Sequence, residues 1–228
     1  MRRGALYAAA FVAEPAYRIR RSERARRVRV TVDHERGVEV VLPHRASERA
    51  AHRAVRELTP WIERQQRRMA KARAHVAPAE GTTPYLGREL RLVQQAGRLR
   101  VHRAGDELLV PAGDHRPALE RWYRRMARAE VAPRLDAAAA AVGRPYSGLT
   151  IRGQRTRWAS CGPDGAMSFN WRLLLAPADV LDYVVWHEAC HLLVRDHSPR
   201  FWSLVARHHP GYAAPRAWLR RYGSTLAL

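Results

Sequence analysis

VVWHEACHLLVRDH, residues 184–197, contains the pattern H-E-x-x-H followed by a third histidine six residues later. An α-helix has about 3.6 residues per turn, so His187 and His191 are expected one turn apart on one helix face. Two imidazoles at that spacing can bind one zinc ion, and Glu188 then lies beside the metal, where a general base is useful. His197 follows the helix and is placed to close the site from the opposite side. The pattern therefore predicts one zinc ion per chain, bound by His187, His191 and His197.

The motif is embedded in apolar sequence. Four aliphatic residues precede it and two follow it, namely Val180, Leu181, Val184, Val185, Leu192 and Leu193. Burying histidine and glutamate in such a helix costs several kcal/mol unless they are paired or bound to a metal. This cost argues against the alternative of two core histidines and a surface glutamate.

The charge of the chain is strongly positive. Its 228 residues include 41 Lys and Arg against 21 Asp and Glu, which gives a formal net charge of +20, and Lys71 is the single lysine. Such an excess favours anionic partners such as nucleic acid, nucleotides or acidic peptides. A solvated basic surface on a soluble enzyme explains it equally well.

The two cysteines, Cys161 and Cys190, do not make a disulfide framework, which suggests a reducing compartment. The N-terminal residues 1–13 resemble a very short signal peptide, but the dense arginine cluster that follows opposes translocation. No run approaches 18 apolar residues, so no transmembrane helix is expected. We therefore expect a cytoplasmic protein without a membrane partner.

The fold class expected from the patterning is α+β, with a β-rich N-terminal unit over residues 1–112 and a helical domain over 113–228. Alternating valines at 28, 30 and 32 predict a strand. A helix is predicted from about 46 to 75, interrupted near Pro60, and a linker over 76–84. Short strands are then expected at 89–94, 98–103 and 107–110.

The second half is expected to begin with a helix over 115–142, kinked or broken at Pro133. Two strands, about 148–158 and 166–174, should form a short antiparallel sheet through the turn Pro163-Asp164-Gly165. The helix that carries the zinc motif should begin at Pro177, and a further helix at Ser198-Pro199.

Zinc held by three neutral imidazoles lowers the pKa of its bound water toward about 7, and Glu188 would accept the water proton. The reaction is hydrolysis of a C=O or a P–O bond, which the residues alone do not separate. Peptide cleavage needs a strand edge to hold the substrate, for which 166–171 is expected. Phosphoester cleavage needs further cations, and six arginines lie nearby: Arg152, Arg155, Arg157, Arg172, Arg195 and Arg200.

Five further residues are candidates for supporting roles. Arg157, Trp158, Asn170 and Arg200 are predicted for a substrate cleft, although core packing of Trp158 and a turn hydrogen bond from Asn170 remain open. Asp196 is predicted either to orient a ligand histidine as a hydrogen-bond acceptor or to be an exposed turn residue.

The chain resembles the YgjP-like zinc metallopeptidase family in four segments. The segments are RGQRTRWASC (152–161), SFNWRL (168–173), YVVWHEACH (183–191) and HSPRFW (197–202), against the family patterns R-W-G-S-C, N-W-R-L, H-E-L-C-H and H-S-x-x-F-W. The strong similarity covers residues 150–205, and the N-terminal pattern is similar as well. The sequence departs from the family at Ala159, where glycine is usual, and at Ala189, where leucine is usual.

This resemblance implies a minimal zincin-like domain related to the SprT-like proteases, which act on proteins attached to DNA. It implies the same three histidine ligands and Glu188 as the catalytic base. The spacing is also similar to that of metzincins, but Val194 occupies the position of their turn glycine, so that assignment is rejected.

The sequence thus predicts a zinc-dependent hydrolase, a metallopeptidase acting on protein or peptide through zinc-bound water. Two alternatives stay open. The first is a metal-dependent nucleotide phosphohydrolase. The second is a nucleic-acid-binding protein with a structural zinc site, which would bind through its arginine-rich surface.

Overall fold

A computed structural model describes residues 15–33, 36–154 and 157–228. The expectations for the N-terminal residues 1–13 and for Arg155 lie outside these residues. Across the described ranges, no helix combines the length and the apolar character needed to cross a membrane. The chain divides into two compact units, Met1–Ala72 and Arg73–Leu228.

The smaller unit contains a three-stranded sheet and most of one long helix. The strands are β1 (Tyr17–Ser22), β2 (Arg29–Asp33) and β3 (Gly37–Pro43), in the order β1-β3-β2, and the helix is α1 (Glu48–Val76). The central strand β3 is parallel to β1 and antiparallel to β2.

The core of this unit follows from simple periodicity. Val38, Val40 and Leu42 alternate along β3 and are fully buried, together with Val55 and Ile62 of α1. The predicted interruption near Pro60 is wrong, because α1 is one continuous helix with the proline inside it. One proline removes one helical hydrogen bond, which a helix of 29 residues can tolerate.

The larger unit begins with a four-stranded sheet. Its strands are β4 (Thr82–Tyr85), β5 (Arg88–Gln95), β6 (His102–Ala104) and β7 (Glu107–Pro111), in the order β4-β5-β7-β6. The linker predicted over 76–84 is wrong at its end, where β4 begins. Pro84 is tolerated because β4 is an edge strand that pairs with β5 alone.

This sheet shares its core with helix α2 (Arg116–Val142). The predicted break at Pro133 is wrong, because α2 continues through this proline, and a kink there stays a prediction. Leu90 and Leu108 of the sheet belong to one buried cluster with Trp122 and Tyr123 of α2. The sheet therefore lies in the larger unit, on the C-terminal side of the division at residue 72. The domain division at residue 112 stays a prediction.

A third sheet precedes the histidine-rich segment. Its strands are β8 (Gly148–Arg152), β9 (Ala159–Cys161) and β10 (Ala166–Asn170), in the order β8-β10-β9. The predicted antiparallel sheet is wrong in part, because β10 is antiparallel to β9 but parallel to β8. The cause is a reversal of the chain between β8 and β9, where a single strand over 148–158 was predicted.

Three helices complete the larger unit: α3 (Ala178–Cys190), α4 (Pro199–His208) and α5 (Ala213–Tyr222). The apolar face of α3, which includes Val180, Leu181 and Val184, is buried in the same cluster as α2. An ion pair of 2.8 Å between Arg134 of α2 and Asp182 of α3 joins the two helices at the surface. In the described residues, the fold is mixed, with five α-helices and three small mixed sheets.

Candidate metal centre

Three histidines converge at the end of α3. His187 lies in its last turn, His191 immediately follows the helix, and His197 directly precedes Ser198, the N-cap residue of α4. Their ligand atoms all lie within 4.8 Å of one another, and the Nε2 atoms of His187 and His197 are 3.0 Å apart. In a tetrahedral zinc site with Zn–N bonds of about 2.0–2.1 Å, ligand nitrogens are about 3.3 Å apart. The three imidazoles are therefore close enough together to hold one metal ion.

The ring orientation of His191 is fixed by the backbone. Its Nδ1 lies 2.9 Å from the carbonyl oxygen of Val194, so Nδ1 carries the hydrogen and donates it. This leaves Nε2 as the free acceptor that a metal requires. A hydrogen bond of this kind on the distal nitrogen is the usual support for a histidine ligand.

The protonation states suit metal binding. Burial, followed by the neighbouring imidazoles, lowers the pKa of His187 to about 3, and burial lowers the pKa of His191. Both rings are therefore neutral at physiological pH, as ligands must be. The buried Nδ1 of His187 has no hydrogen-bond partner within the described part of the chain, so Nε2 is the atom of this ring that meets the other histidines.

Phe201 of α4 forms the floor beneath all three imidazoles. Its ring centroid lies 4.3 Å from that of His191 and 4.9 Å from those of His187 and His197, and its side chain is fully buried. Our sequence analysis did not assign Phe201 a role, although it belongs to the H-S-x-x-F-W segment. Cys190 packs in the same apolar cluster, where burial raises the pKa of its thiol to about 11.

Glu188 is a buried carboxylate beside this cluster. It is 6% exposed, and burial raises its pKa to about 7, against the opposing effects of a hydrogen bond from the Cys161 backbone and of the charge of Arg157. A group with a pKa near the working pH can both accept and return a proton. Glu188 can therefore exchange a proton near neutral pH.

The strand beside Glu188 is β9, not the segment 166–171 that was expected to hold a substrate. That expectation is wrong, because β10 is the central strand and is paired on both sides, by β8 and by β9. β9 is an edge strand, and Cys161, which contacts Glu188, is its last residue.

A cleft of about 480 Å³ opens next to the histidines. Its lining comprises Trp158, Tyr183, His187, His197, Trp202, Arg216, Leu219 and Arg220. Trp158 belongs to this lining, and its role in binding substrate stays a prediction. It packs closely against Gly223, where a Cβ atom would lie 3.0 Å from the indole. Residues of α5 had no predicted role in the site, since nothing in their local sequence marks them.

Asn170 lies below this surface rather than on it. It is 5% exposed, and its amide nitrogen donates to the carbonyl oxygens of Gln154, at 2.6 Å, and Arg157, at 3.3 Å. Its Oδ1 accepts from the backbone of Arg172 at 3.1 Å. Asn170 therefore holds the loop that carries Arg157 and Trp158, in keeping with the hydrogen-bonding alternative.

Asp196 is exposed and accepts hydrogen bonds from Ser198, including one from its backbone N–H at 3.1 Å. These hydrogen bonds lower the pKa of Asp196. Among the described residues its hydrogen-bond partner is Ser198 and not a ligand histidine, so Asp196 orders the loop between His197 and α4. Arg200 is exposed in the first turn of α4, outside the lining of the cleft.

The side chain of Arg195 forms hydrogen bonds with the turn between β9 and β10. Its guanidinium donates to the carbonyl oxygens of Gly162, at 2.5 Å, and Pro163, at 2.8 Å. These hydrogen bonds connect the segment between His191 and His197 to the β9–β10 hairpin. Strand β9 of this hairpin contacts Glu188.

A family model described as "YgjP-like, metallopeptidase domain" matches residues 26–222. The chain belongs to the YgjP-like family. Comparisons with curated proteins and with solved structures gave no match. The YgjP-like domain includes the three histidines, Glu188 and the cleft, and membership of the family supports a zinc metallopeptidase in general.

Proposed function

We propose that the chain is a zinc-dependent peptidase in which His187, His191 and His197 bind one zinc ion and Glu188 is the general base. One observation carries the proposal: three imidazoles converge on one point, and a buried carboxylate, Glu188, is the residue after His187 on the same helix. The donor set and its spacing fit zinc.

The zinc ion, when bound, polarises the substrate carbonyl and makes water acidic enough to attack near neutral pH. Glu188 takes the proton of the attacking water and delivers it to the leaving amine, and its raised pKa suits both transfers. The Cys161 backbone keeps the carboxylate oriented. Phe201 holds the three imidazoles in a fixed arrangement and keeps water away from their lower side.

The strand and the cleft beside Glu188 favour an extended peptide as the substrate. The edge strand β9 runs beside Glu188 and offers main-chain groups to an added strand, and the cleft receives side chains on the histidine side. Two arginines named for phosphate binding have other contacts, since Arg195 binds turn carbonyls and Arg172 lies 4.7 Å from the Trp171 ring. This favours a peptide over a phosphoester.

The test compares zinc-loaded wild type with Glu188→Gln on three substrate pools: unfolded protein, nucleoside triphosphates, and protein bound to DNA. We expect wild type to cleave unfolded protein and Glu188→Gln to lose about 10²- to 10⁴-fold in kcat while keeping one zinc per chain. Asp179→Asn, the same chemical change at an exposed position of α3, is the matched control and should retain turnover.

The other outcomes separate the alternatives. Full turnover by Glu188→Gln removes this residue as the base. Hydrolysis of nucleoside triphosphates without peptide cleavage favours the phosphohydrolase. Steeply salt-dependent DNA binding, with no turnover of any pool, favours a nucleic-acid-binding protein with a structural zinc.

A further inference from the structure

Two arginines of α5, Arg216 and Arg220, line the same cleft as His187 and His197. They are four residues apart on a helix, so their side chains emerge on one face, one turn apart. The remaining walls near them are largely apolar, formed by Trp158, Trp202 and Leu219. Two positive charges therefore lie close together in a largely apolar cleft beside the three histidines.

Arg216 is held in place by an aromatic platform. Its guanidinium carbon lies 4.0 Å from the centre of the Trp202 ring, and Trp202 in turn stacks on Tyr212 with centroids 5.6 Å apart. Stacking uses the face of the guanidinium and leaves the N–H groups at its edge available to a ligand.

Neither arginine has an acidic partner. Within residues 15–33, 36–154 and 157–228, Arg216 and Arg220 form no ion pair with a carboxylate. By contrast, Arg134 contacts both Glu130 and Asp182. Two uncompensated charges in a concave, partly apolar site attract an anion strongly, because the surroundings focus the field.

We propose that this cleft is a subsite for a carboxylate of the peptide substrate, bound by Arg216 and Arg220 next to the scissile bond. The inference rests on the proposed peptidase function. Guanidinium groups bind carboxylates through charge-assisted, often bidentate hydrogen bonds. Trp158 and Leu219 contact the aliphatic part of the same substrate residue. The carboxylate belongs either to an acidic side chain or to the C-terminus of the substrate, and the test separates these two sources.

The test measures peptide binding to zinc-loaded Glu188→Gln protein, so that affinity is determined without turnover. Three peptides of one parent sequence are compared. The first has an internal Glu and an amidated C-terminus, the second has Gln at that position and a free C-terminus, and the third has Gln and an amidated C-terminus. We expect one or both carboxylate peptides to bind about tenfold or more tightly than the neutral peptide, because a charge-assisted pair is gained. The carboxylate peptide that binds more tightly identifies the source.

Arg220→Gln and Arg216→Gln are then introduced into the same background, and each should bring the affinity ratio of carboxylate to neutral peptide close to one. Arg220 is exposed, so its replacement leaves the packing of the helix intact. Arg221→Gln is the matched control, because Arg221 is the adjacent residue, lies 5.2 Å from the Tyr222 ring and is outside the cleft lining. It should keep the full ratio.

Equal affinity for all three peptides overturns the subsite, as does a ratio that survives both Arg216→Gln and Arg220→Gln. Wild-type cleavage of the same peptides reports separately on the peptidase. Carboxylate-selective binding without any cleavage upholds the subsite and contradicts the proposed function. Cleavage at equal rates with equal affinities upholds the peptidase and contradicts the subsite.

Discussion

At the scale of one residue, the burial of the Glu188 carboxyl group costs the folded protein free energy. A carboxylate that is 6% exposed cannot be solvated by bulk water, and its raised pKa is the measure of that loss. One backbone hydrogen bond and the charge of Arg157 offset part of the penalty. The metal-free protein should therefore reveal the penalty as a dependence of stability on pH.

The sign follows from the two pKa values of Glu188, about 7 in the folded protein and 4.5 as its ordinary value. Between these values the unfolded chain has lost the proton and the folded chain retains it, so the free energy of unfolding falls as pH rises. Relative to Glu188→Gln, metal-free wild type should lose about 3 kcal/mol of stability between pH 4.5 and pH 8.

Urea unfolding of both proteins in chelator, at several pH values, measures this difference. The comparison with Glu188→Gln cancels the opposite effect of His187, whose lowered pKa gives stability that grows as pH rises from about 3 to about 6.5. A difference between the two proteins that stays constant across this range would contradict a buried, perturbed Glu188.

At the scale of elements, the contact between α3 and α4 brings the three histidines together. His187 and His191 lie at the end of α3, His197 lies before α4, and Phe201 of α4 packs against all three rings. Asp196 and Ser198 fix the loop that joins the two helices. The geometry of the ligands thus depends on helix packing as much as on the spacing of the histidines.

Phe201→Ala should therefore weaken zinc binding although Phe201 bears no ligand atom. Losing the floor frees the imidazole rings, and loss of a supporting contact typically costs about 10- to 100-fold in metal affinity. The cavity should also destabilise the protein by about 3–5 kcal/mol. Competition with a chelating dye measures the affinity.

Phe201→Leu is the control, since it retains most of the buried volume and should keep an affinity closer to wild type. Unchanged zinc affinity in a folded Phe201→Ala protein would show that the imidazoles keep their arrangement without the Phe201 ring.

Local elements were easier to predict from the sequence than the pairing of strands. Pro177 predicts the start of a helix because proline suits the first helical position, and the structure has α3 over Ala178–Cys190. The reversal between β8 and β9 was not predicted, and residues distant in sequence pack where it begins. Gly153 lies against Arg124 and Trp171, where a Cβ would be 2.6 Å from the guanidinium and 3.0 Å from the indole nitrogen.

At the scale of the whole molecule, the chain consists of two compact units, and the candidate metal site belongs to the larger one. The smaller unit has its own buried cluster around Val40, Val55 and Ile62. A ligand that binds the folded larger unit stabilises that unit by mass action and leaves a separate unit unaffected.

Zinc at about 100 times its Kd should stabilise the larger unit by about 2.7 kcal/mol, which corresponds to a rise of about 5–10 °C in its Tm. Scanning calorimetry with and without zinc measures the shift. His191→Ala should abolish it. A shift of the same size in His191→Ala would place the zinc elsewhere.

The family resemblance seen in the sequence is confirmed by the match over residues 26–222, and the mixed fold class is confirmed at a coarse level. The three histidines could be predicted because their spacing is local. The contact between Cys161 and Glu188 and the position of Arg216 in the cleft could not, because both depend on segments that come together in the folded chain.

The three histidines are close together in the sequence, whereas Glu188 and Cys161 are far apart. This difference has a consequence for the order of folding. The three histidines lie within 11 residues, so bringing them together closes short loops at small entropic cost. Glu188 needs Cys161, which lies 27 residues earlier, and the hairpin that carries it. We therefore expect a partly folded chain to capture metal before its proton-transfer group is positioned. Metal binding would then precede peptidase activity, and a partly folded chain would hold zinc while still inactive.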